Sequence, residues 1–131
     1  MDNYQKDNIA NNCLNNFEWN KNIINSANAL IIVLTENGIC GYNSDGSFSS
    51  TKGTHWQSFD AGLATQTLCL SAHALGLGTV ILGLFNEEKI KNTLNISDKY
   101  SISALVAIGY SAVAPSAPQR KSVNELLKII D

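Results

Sequence analysis

One helix-forming segment, from Thr54 to Gly78, constrains the fold more than any other part of this 131-residue chain. Thr54-His-Trp-Gln57 has the pattern of a capping box, in which the hydroxyl and the later amide satisfy free N–H groups at a helix start. Gly76 and Gly78 provide the stop, because glycine accepts the left-handed conformation that follows many helices. The pattern predicts a helix of about six turns whose only formal charge is Asp60.

Apolar and small side chains occur on every side of this predicted helix. They are Ala61, Leu63, Ala64, Leu68, Cys69, Leu70, Ala72, Ala74 and Leu75. A helix that is apolar all round is buried all round, and a chain of this length has little else to enclose it. We therefore expect a homodimer built on helix 56–76, in which small residues such as Gly62 allow close approach. The alternative is a helix buried wholly within one monomer.

Short strands and helices are predicted on both sides of this helix. Residues 1–28 contain ten asparagines, which predicts one or two marginal helices held by tertiary packing. Strands are predicted at 29–34, 79–82 and 102–108, the first two as buried strands, and a loop at 36–53. The expected fold class is therefore α+β. It has a short mixed or antiparallel sheet of about three strands with a long central dimerisation helix, in one domain covering residues 1–131.

Two further helix starts can be identified after the long helix. Asn86 is expected to cap a short helix, with Glu87 and Glu88 near its positive end. Ser122-Val-Asn-Glu125 is a second capping-box pattern, and it predicts an amphipathic helix that continues through Ile130.

Charge and cysteine content exclude several classes of protein. The net charge of −2 and the single arginine give no basis for binding nucleic acid or an anionic membrane. No apolar run approaches the ~20 residues of a membrane helix, and the N-terminus lacks the pattern of a signal peptide. Cys13, Cys40 and Cys69 form no C-x-x-C pair, which favours a reducing, cytoplasmic location.

Motifs for catalysis by side chains are lacking. The sequence has no G-x-S-x-G, H-E-x-x-H or P-loop pattern, and no residue is assigned as catalytic or as a metal ligand. His55 and His73 are expected at the surface or an interface, and Asp60 is expected to be structural. Gly76-Leu-Gly78 follows a helix, which is the wrong order for a dinucleotide-binding turn. Such a chain is either not an enzyme or takes its chemistry from a cofactor.

The ordered features from Trp56 onward resemble the nitroreductase family. The aspartate, the alternation of small and apolar residues, and the ending A-x-x-L-G-L-G-T at residues 72–79 match that family's long central helix. The similarity continues through Leu82-Gly83-Leu84-Phe85, the strand ending Ala107-Ile-Gly-Tyr110, and the proline-containing loop that reaches Arg120. It covers roughly residues 27–130.

The resemblance implies an FMN-dependent oxidoreductase with FMN bound across a homodimer interface. Such an enzyme passes hydride from NAD(P)H through the flavin to a nitroaromatic, a quinone or a similar small aromatic acceptor. The family's backbone contacts to the flavin ring fall on Leu82, Gly83 and Leu84, and its phosphate ligands fall on Arg120 and Lys121. A glycine suits close backbone approach, and a guanidinium fork fits a phosphate.

The family's N-terminal segment, rich in arginine and serine, has no counterpart in this sequence. It supplies the other phosphate contacts and the hydrogen bonds to the pyrimidine edge of the flavin, so the sequence resembles an N-terminally truncated nitroreductase domain. Each unmatched polar group in a dry pocket costs about 1–3 kcal/mol, and we therefore expect weak FMN binding. The alternative function is a non-catalytic dimeric scaffold that has lost the flavin site.

Overall fold

The computed structural model describes residues 3–113 and 115–130. Five helices and three strands make up the described chain, and their order confirms the predicted α+β class. They are α1 (Asn3–Asn12), α2 (Glu18–Ser26), β1 (Ala29–Glu36), α3 (His55–Ala74), β2 (Gly78–Leu82), α4 (Glu87–Leu94), β3 (Tyr100–Gly109) and α5 (Val123–Leu126).

The three strands form one antiparallel sheet in the order β1-β3-β2. Val106 of β3 pairs with Ile31 on one side and with Ile81 on the other, and it is fully buried. The prediction that β1 and β2 are buried strands was wrong for the single chain. Both lie at sheet edges, where Leu34, Val80 and Ile81 remain more than two-fifths exposed.

The hydrophobic core lies where the two N-terminal helices and α4 meet the sheet. Its buried members are Ile9, Ala10, Cys13, Leu14, Ile24, Leu30, Leu82, Ile90, Ile102, Leu105 and Ala107. The Lys6 ammonium, in a nearly buried residue, donates to the carbonyl of Ala27 just after α2, where a cation complements the helix dipole. The asparagine-rich N-terminus is therefore helical through packing, as predicted.

Helix α3 lies against all three strands and is stopped as predicted. Gly76 has φ +76°, and its N–H donates to the carbonyl of His73. The capping box at its start was wrong, because Thr54 already has helical backbone angles and makes no capping hydrogen bond, whereas a capping residue is extended. The Gln57 amide donates instead to the carbonyl of Glu36.

Only part of α3 is covered by the chain itself. Its buried residues are Ala61, Thr65 and Ala72, whereas Phe59, Leu63 and Leu70 are each more than half exposed. Turns of 100° per residue place the exposed three within about 40° of one another on one side of the helix. The homodimer stays a prediction, and this exposed stripe is the surface that such a dimer would bury.

The start of α4 agrees with the sequence. Asn86 is extended, and its side chain accepts a hydrogen bond from the N–H of Lys89. The carboxylate of Glu87 accepts from the backbone N–H of Ile102, 2.8 Å away, and forms an ion pair with Lys91. The bond between Glu87 and Ile102 attaches α4 to β3, just beyond the point where β2 ends.

Replacing Asn86 with alanine should lower the free energy of unfolding by about 1 kcal/mol, the usual effect of losing a helix cap. The loss should appear as a lower urea midpoint with an unchanged slope. Asn92→Ala provides the control, because Asn92 is an exposed residue inside the same helix. Equal destabilisation by both substitutions would contradict the capping role.

The C-terminal arm, defined as residues 115–130, is exposed along its whole length. Its helix spans only Val123–Leu126, so the predicted helix through Ile130 was wrong, because the backbone becomes extended at Leu127. The Glu125 carboxylate accepts from the N–H and the hydroxyl of Ser122, as the capping pattern predicts. These two hydrogen bonds, the backbone one first, hold the pKa of Glu125 below its usual range.

Candidate functional site

The segment that follows β2 combines firm attachment with an open backbone. Leu82 is buried in the core, and the Asn20 amide donates to the carbonyl of Leu84. Between them, Gly83 is exposed, and a Cβ placed on it would meet no atom within 4 Å. Gly83 makes no hydrogen bond within the described chain. Its peptide is therefore held in place and available to a ligand.

A cavity of about 500 Å³ lies between α3 and the strands β2 and β3. Its wall on α3 includes Ser58, Ala61, Gly62, Thr65 and Gln66, whose spacing of three and four residues places them on one helix face. The strands contribute Ile81 and residues 101–104. None of the residues that line this cavity carries a formal charge.

Gly83 lies beside this cavity. Leu82, the residue before Gly83, pairs with Leu105, and Ala104, next to Leu105 in the chain, lines the cavity. Ile81, two residues before Gly83 and still in β2, also lines the cavity. The open peptide and the uncharged cavity thus form one candidate site, which we call the strand-end site.

The basic pair predicted from the sequence lies on the C-terminal arm. Arg120 and Lys121 are exposed, and neither forms an ion pair or hydrogen bond within the described chain. Three of the five predicted site residues, Leu82, Gly83 and Leu84, lie together where β2 ends. The structure does not bring Arg120 and Lys121 into contact with them.

Sequence reasoning missed the cavity wall. The only available signal was the run of small and polar residues at Ser58, Ala61, Thr65 and Gln66, which has helical spacing.

Asp60, expected to be structural, lies beside the loop residue Cys40. A hydrogen bond to its carboxylate is the main reason that the pKa of the Cys40 thiol is raised, and burial of the thiol and the negative charge of Asp60 add to the effect.

Other kinds of site have little support in the described residues. They contain no group of three or more His, Cys, Asp or Glu side chains arranged for a metal ion. None of their helices combines the length and the hydropathy of a membrane span. A second groove of about 940 Å³ lies at the opposite end of the sheet, where His73, Gly78 and Tyr110 contribute to its lining.

Solved structures share this arrangement of sheet and long helix. A nitroreductase family protein from Streptococcus pneumoniae TIGR4 is 18% identical, with a TM-score of 0.78 over 95% of this chain and 74% of its own. An NADPH:FMN oxidoreductase from Vibrio harveyi, complexed with NAD+, is 17% identical, with a TM-score of 0.73 over 98% of this chain and 55% of its own. The fold is therefore nitroreductase-like.

One further match is closer in sequence but shorter. An oxidoreductase containing FMN is 30% identical over 72% of this chain and 45% of its own, with a TM-score of 0.56. This chain thus spans about half of the length of that protein and of the Vibrio harveyi enzyme. No curated protein sequence is significantly similar to it.

The family assignment rests on the sequence. Residues 3–110 match the sequence model of the nitroreductase family. The match includes both N-terminal helices, the whole sheet and the strand-end site. The chain therefore belongs to the nitroreductase family, which confirms the resemblance found in the sequence.

Proposed function

We propose that this protein is a homodimeric FMN-dependent oxidoreductase. It would accept hydride from NAD(P)H and pass it to a nitroaromatic, a quinone or a similar small aromatic acceptor. Membership of the nitroreductase family supports a flavin oxidoreductase in general. The observation that carries the proposal for this chain is the unbonded, open peptide of Gly83, held at the end of the edge strand β2 directly after the buried Leu82.

The residues of the strand-end site fit a flavin. FMN has a neutral ring system and an anionic phosphate. The chain offers an uncharged cavity of about 500 Å³ and two cations, Arg120 and Lys121, that have no ion-pair partner among the described residues. Pockets for such ligands are mostly apolar with a few placed polar groups. When bound, FMN would supply the hydride chemistry, and the protein would supply orientation and hydrogen bonds.

Each proposed contact has a physical reason. The N–H of Gly83 donates to the flavin ring, because glycine has no Cβ to hold the ring away from the backbone. Leu82 in the core and the bond from Asn20 to Leu84 hold that peptide in one position. Arg120 and Lys121 bind the phosphate, and a guanidinium can do so with two parallel hydrogen bonds.

We propose that the exposed stripe of α3 forms the dimer interface. Phe59, Leu63 and Leu70 are exposed by 55–59%, on a helix without a formal charge between Asp60 and its last turn. Contiguous exposed apolar surface of this kind marks an interaction site, and a second copy presents the identical stripe, as a two-fold interface requires. One domain, residues 1–131, would form each half of the dimer.

Replacing Arg120 with alanine should weaken FMN binding by about 1.5–3 kcal/mol, the scale of a hydrogen bond to a charged group. That corresponds to roughly a 10- to 150-fold higher dissociation constant. Binding of riboflavin, which lacks the phosphate, should not change. Titration with each flavin, read by quenching of flavin fluorescence, measures both constants. Lys128→Ala on the same arm is the control, and equal losses for the two flavins would remove Arg120 from the phosphate site.

A non-catalytic dimeric scaffold is the second candidate function. It is favoured by one observation, that Arg120 and Lys121 do not contact the strand-end site within the single chain. The two candidates differ in a simple property, because a flavoprotein purifies with a yellow flavin absorption band. Failure to bind added FMN would support the scaffold.

A further inference from the structure

The polar groups of the strand-end cavity differ in how far they are already used. Thr65 donates to the carbonyl of Ala61, and the Ser103 hydroxyl lies 2.6 Å from that of Thr35. The side chains of Ser58 and Gln66 line the same cavity but make no hydrogen bond within the described chain. The wall on α3 therefore carries one hydroxyl and one amide that are available to a ligand.

The available groups select a class of ligand. A glutamine amide offers donors and an acceptor side by side, so it pairs with a planar group that presents a carbonyl next to an N–H. The lack of charged side chains in the lining disfavours an anionic or cationic group, because desolvating a charge without a partner is costly. The apolar atoms of Ala61 and Ile81 suit the faces of a ring.

We propose that this cavity holds the isoalloxazine ring of the flavin, with Gln66 and Ser58 as its hydrogen-bonding partners at the pyrimidine edge. That edge alternates carbonyl groups with an N–H. The inference rests on the proposed function and adds to it two binding residues on α3.

Two substitutions in the cavity wall test the proposal with flavin binding as the readout. Gly62→Leu fills the cavity without an initial clash, because a Cβ at Gly62 meets no atom within 4 Å. Gln66→Leu removes the amide and leaves the space nearly unchanged. We expect Gly62→Leu to weaken both FMN and riboflavin by tenfold or more, and Gln66→Leu to weaken both by about fivefold or more, the effect of one lost hydrogen bond.

The controls separate ring binding from phosphate binding and from unfolding. Asn22→Leu removes an exposed amide on α2, away from the cavity lining, and should leave both affinities unchanged. Circular dichroism and a urea titration show whether each variant is folded, and the milder Gln66→Leu still tests the proposal if Gly62→Leu does not fold.

The outcomes are distinguishable. Loss of both flavins in the cavity variants, with loss of FMN alone in Arg120→Ala, supports the ring position. Unchanged binding of both flavins by Gly62→Leu and Gln66→Leu, with FMN still weakened by Arg120→Ala, overturns the ring position and leaves the proposed function standing. Failure of the unmodified protein to bind either flavin overturns both.

Discussion

Replacing Leu63 with glutamate should convert the protein from a dimer into a monomer. Leu63 is 55% exposed in the single chain, in the middle of the stripe that also contains Phe59 and Leu70. In a two-fold dimer each substitution occurs twice, and an unpaired charge buried in an interface costs several kcal/mol. A loss of about 3–5 kcal/mol in the free energy of dimerisation raises the dissociation constant of the dimer by roughly a hundredfold to a thousandfold or more.

Sedimentation or light scattering over a range of protein concentrations measures this change. Asn22→Glu adds the same charge to an exposed site on α2 and should remain dimeric. Because the family resemblance implies that FMN binds across the dimer interface, the Leu63→Glu monomer should also lose FMN. A monomeric mass for the unmodified protein would overturn the dimer, and the exposed stripe would then need another explanation.

Local signals in the sequence were read correctly where one residue determines the backbone. Gly76 stops α3 because its positive φ suits glycine, and Asn86 caps α4 because its side chain reaches the N–H of Lys89. Both effects act within about one helical turn. They depend on the neighbouring backbone and not on the rest of the fold, so they can be predicted from the sequence alone.

Long-range packing explains the errors. The last strand, β3, lies between β1 and β2, so apolar runs that looked like buried strands became edges. Thr54 does not cap α3 because its own backbone is already helical. A threonine occurs in both extended and helical backbone, so the residue type alone does not predict this conformation. The extended end of the C-terminal arm is a similar case, since the apolar pattern around Leu126 and Leu127 fits a helix as well as it fits the extended backbone that the structure shows.

The candidate site was predictable only in part for the same reason. Leu82, Gly83 and Leu84 are consecutive, so a motif could locate them together. The cavity beside them needs α3 to pack against strands that are distant in sequence, and no periodicity reports the distance between two elements. Ser58 and Gln66 therefore looked like ordinary polar positions on a long helix until the sheet was placed against them.

Replacing Leu105 with alanine should be the most destabilising of the changes considered, because the core depends on β3. Leu105 is fully buried and lies in the central strand between Ile32 and Leu82. Truncating a buried leucine costs about 2–5 kcal/mol, through lost hydrophobic transfer and the cavity that remains. That is a large part of the roughly 5–15 kcal/mol that stabilises a typical domain.

The measurement is a urea titration at one fixed protein concentration, because the stability of a dimer depends on concentration. Leu34→Ala is the matched control, since Leu34 is on the edge strand β1 and is 41% exposed. It should cost well under half as much, because less apolar surface leaves water at that position. If the two substitutions lowered the stability equally, β3 would not be the centre of the core. In that case Leu105 would not be an important support for Leu82, the residue with which it pairs, and another contact would have to hold the peptide of Gly83 in place.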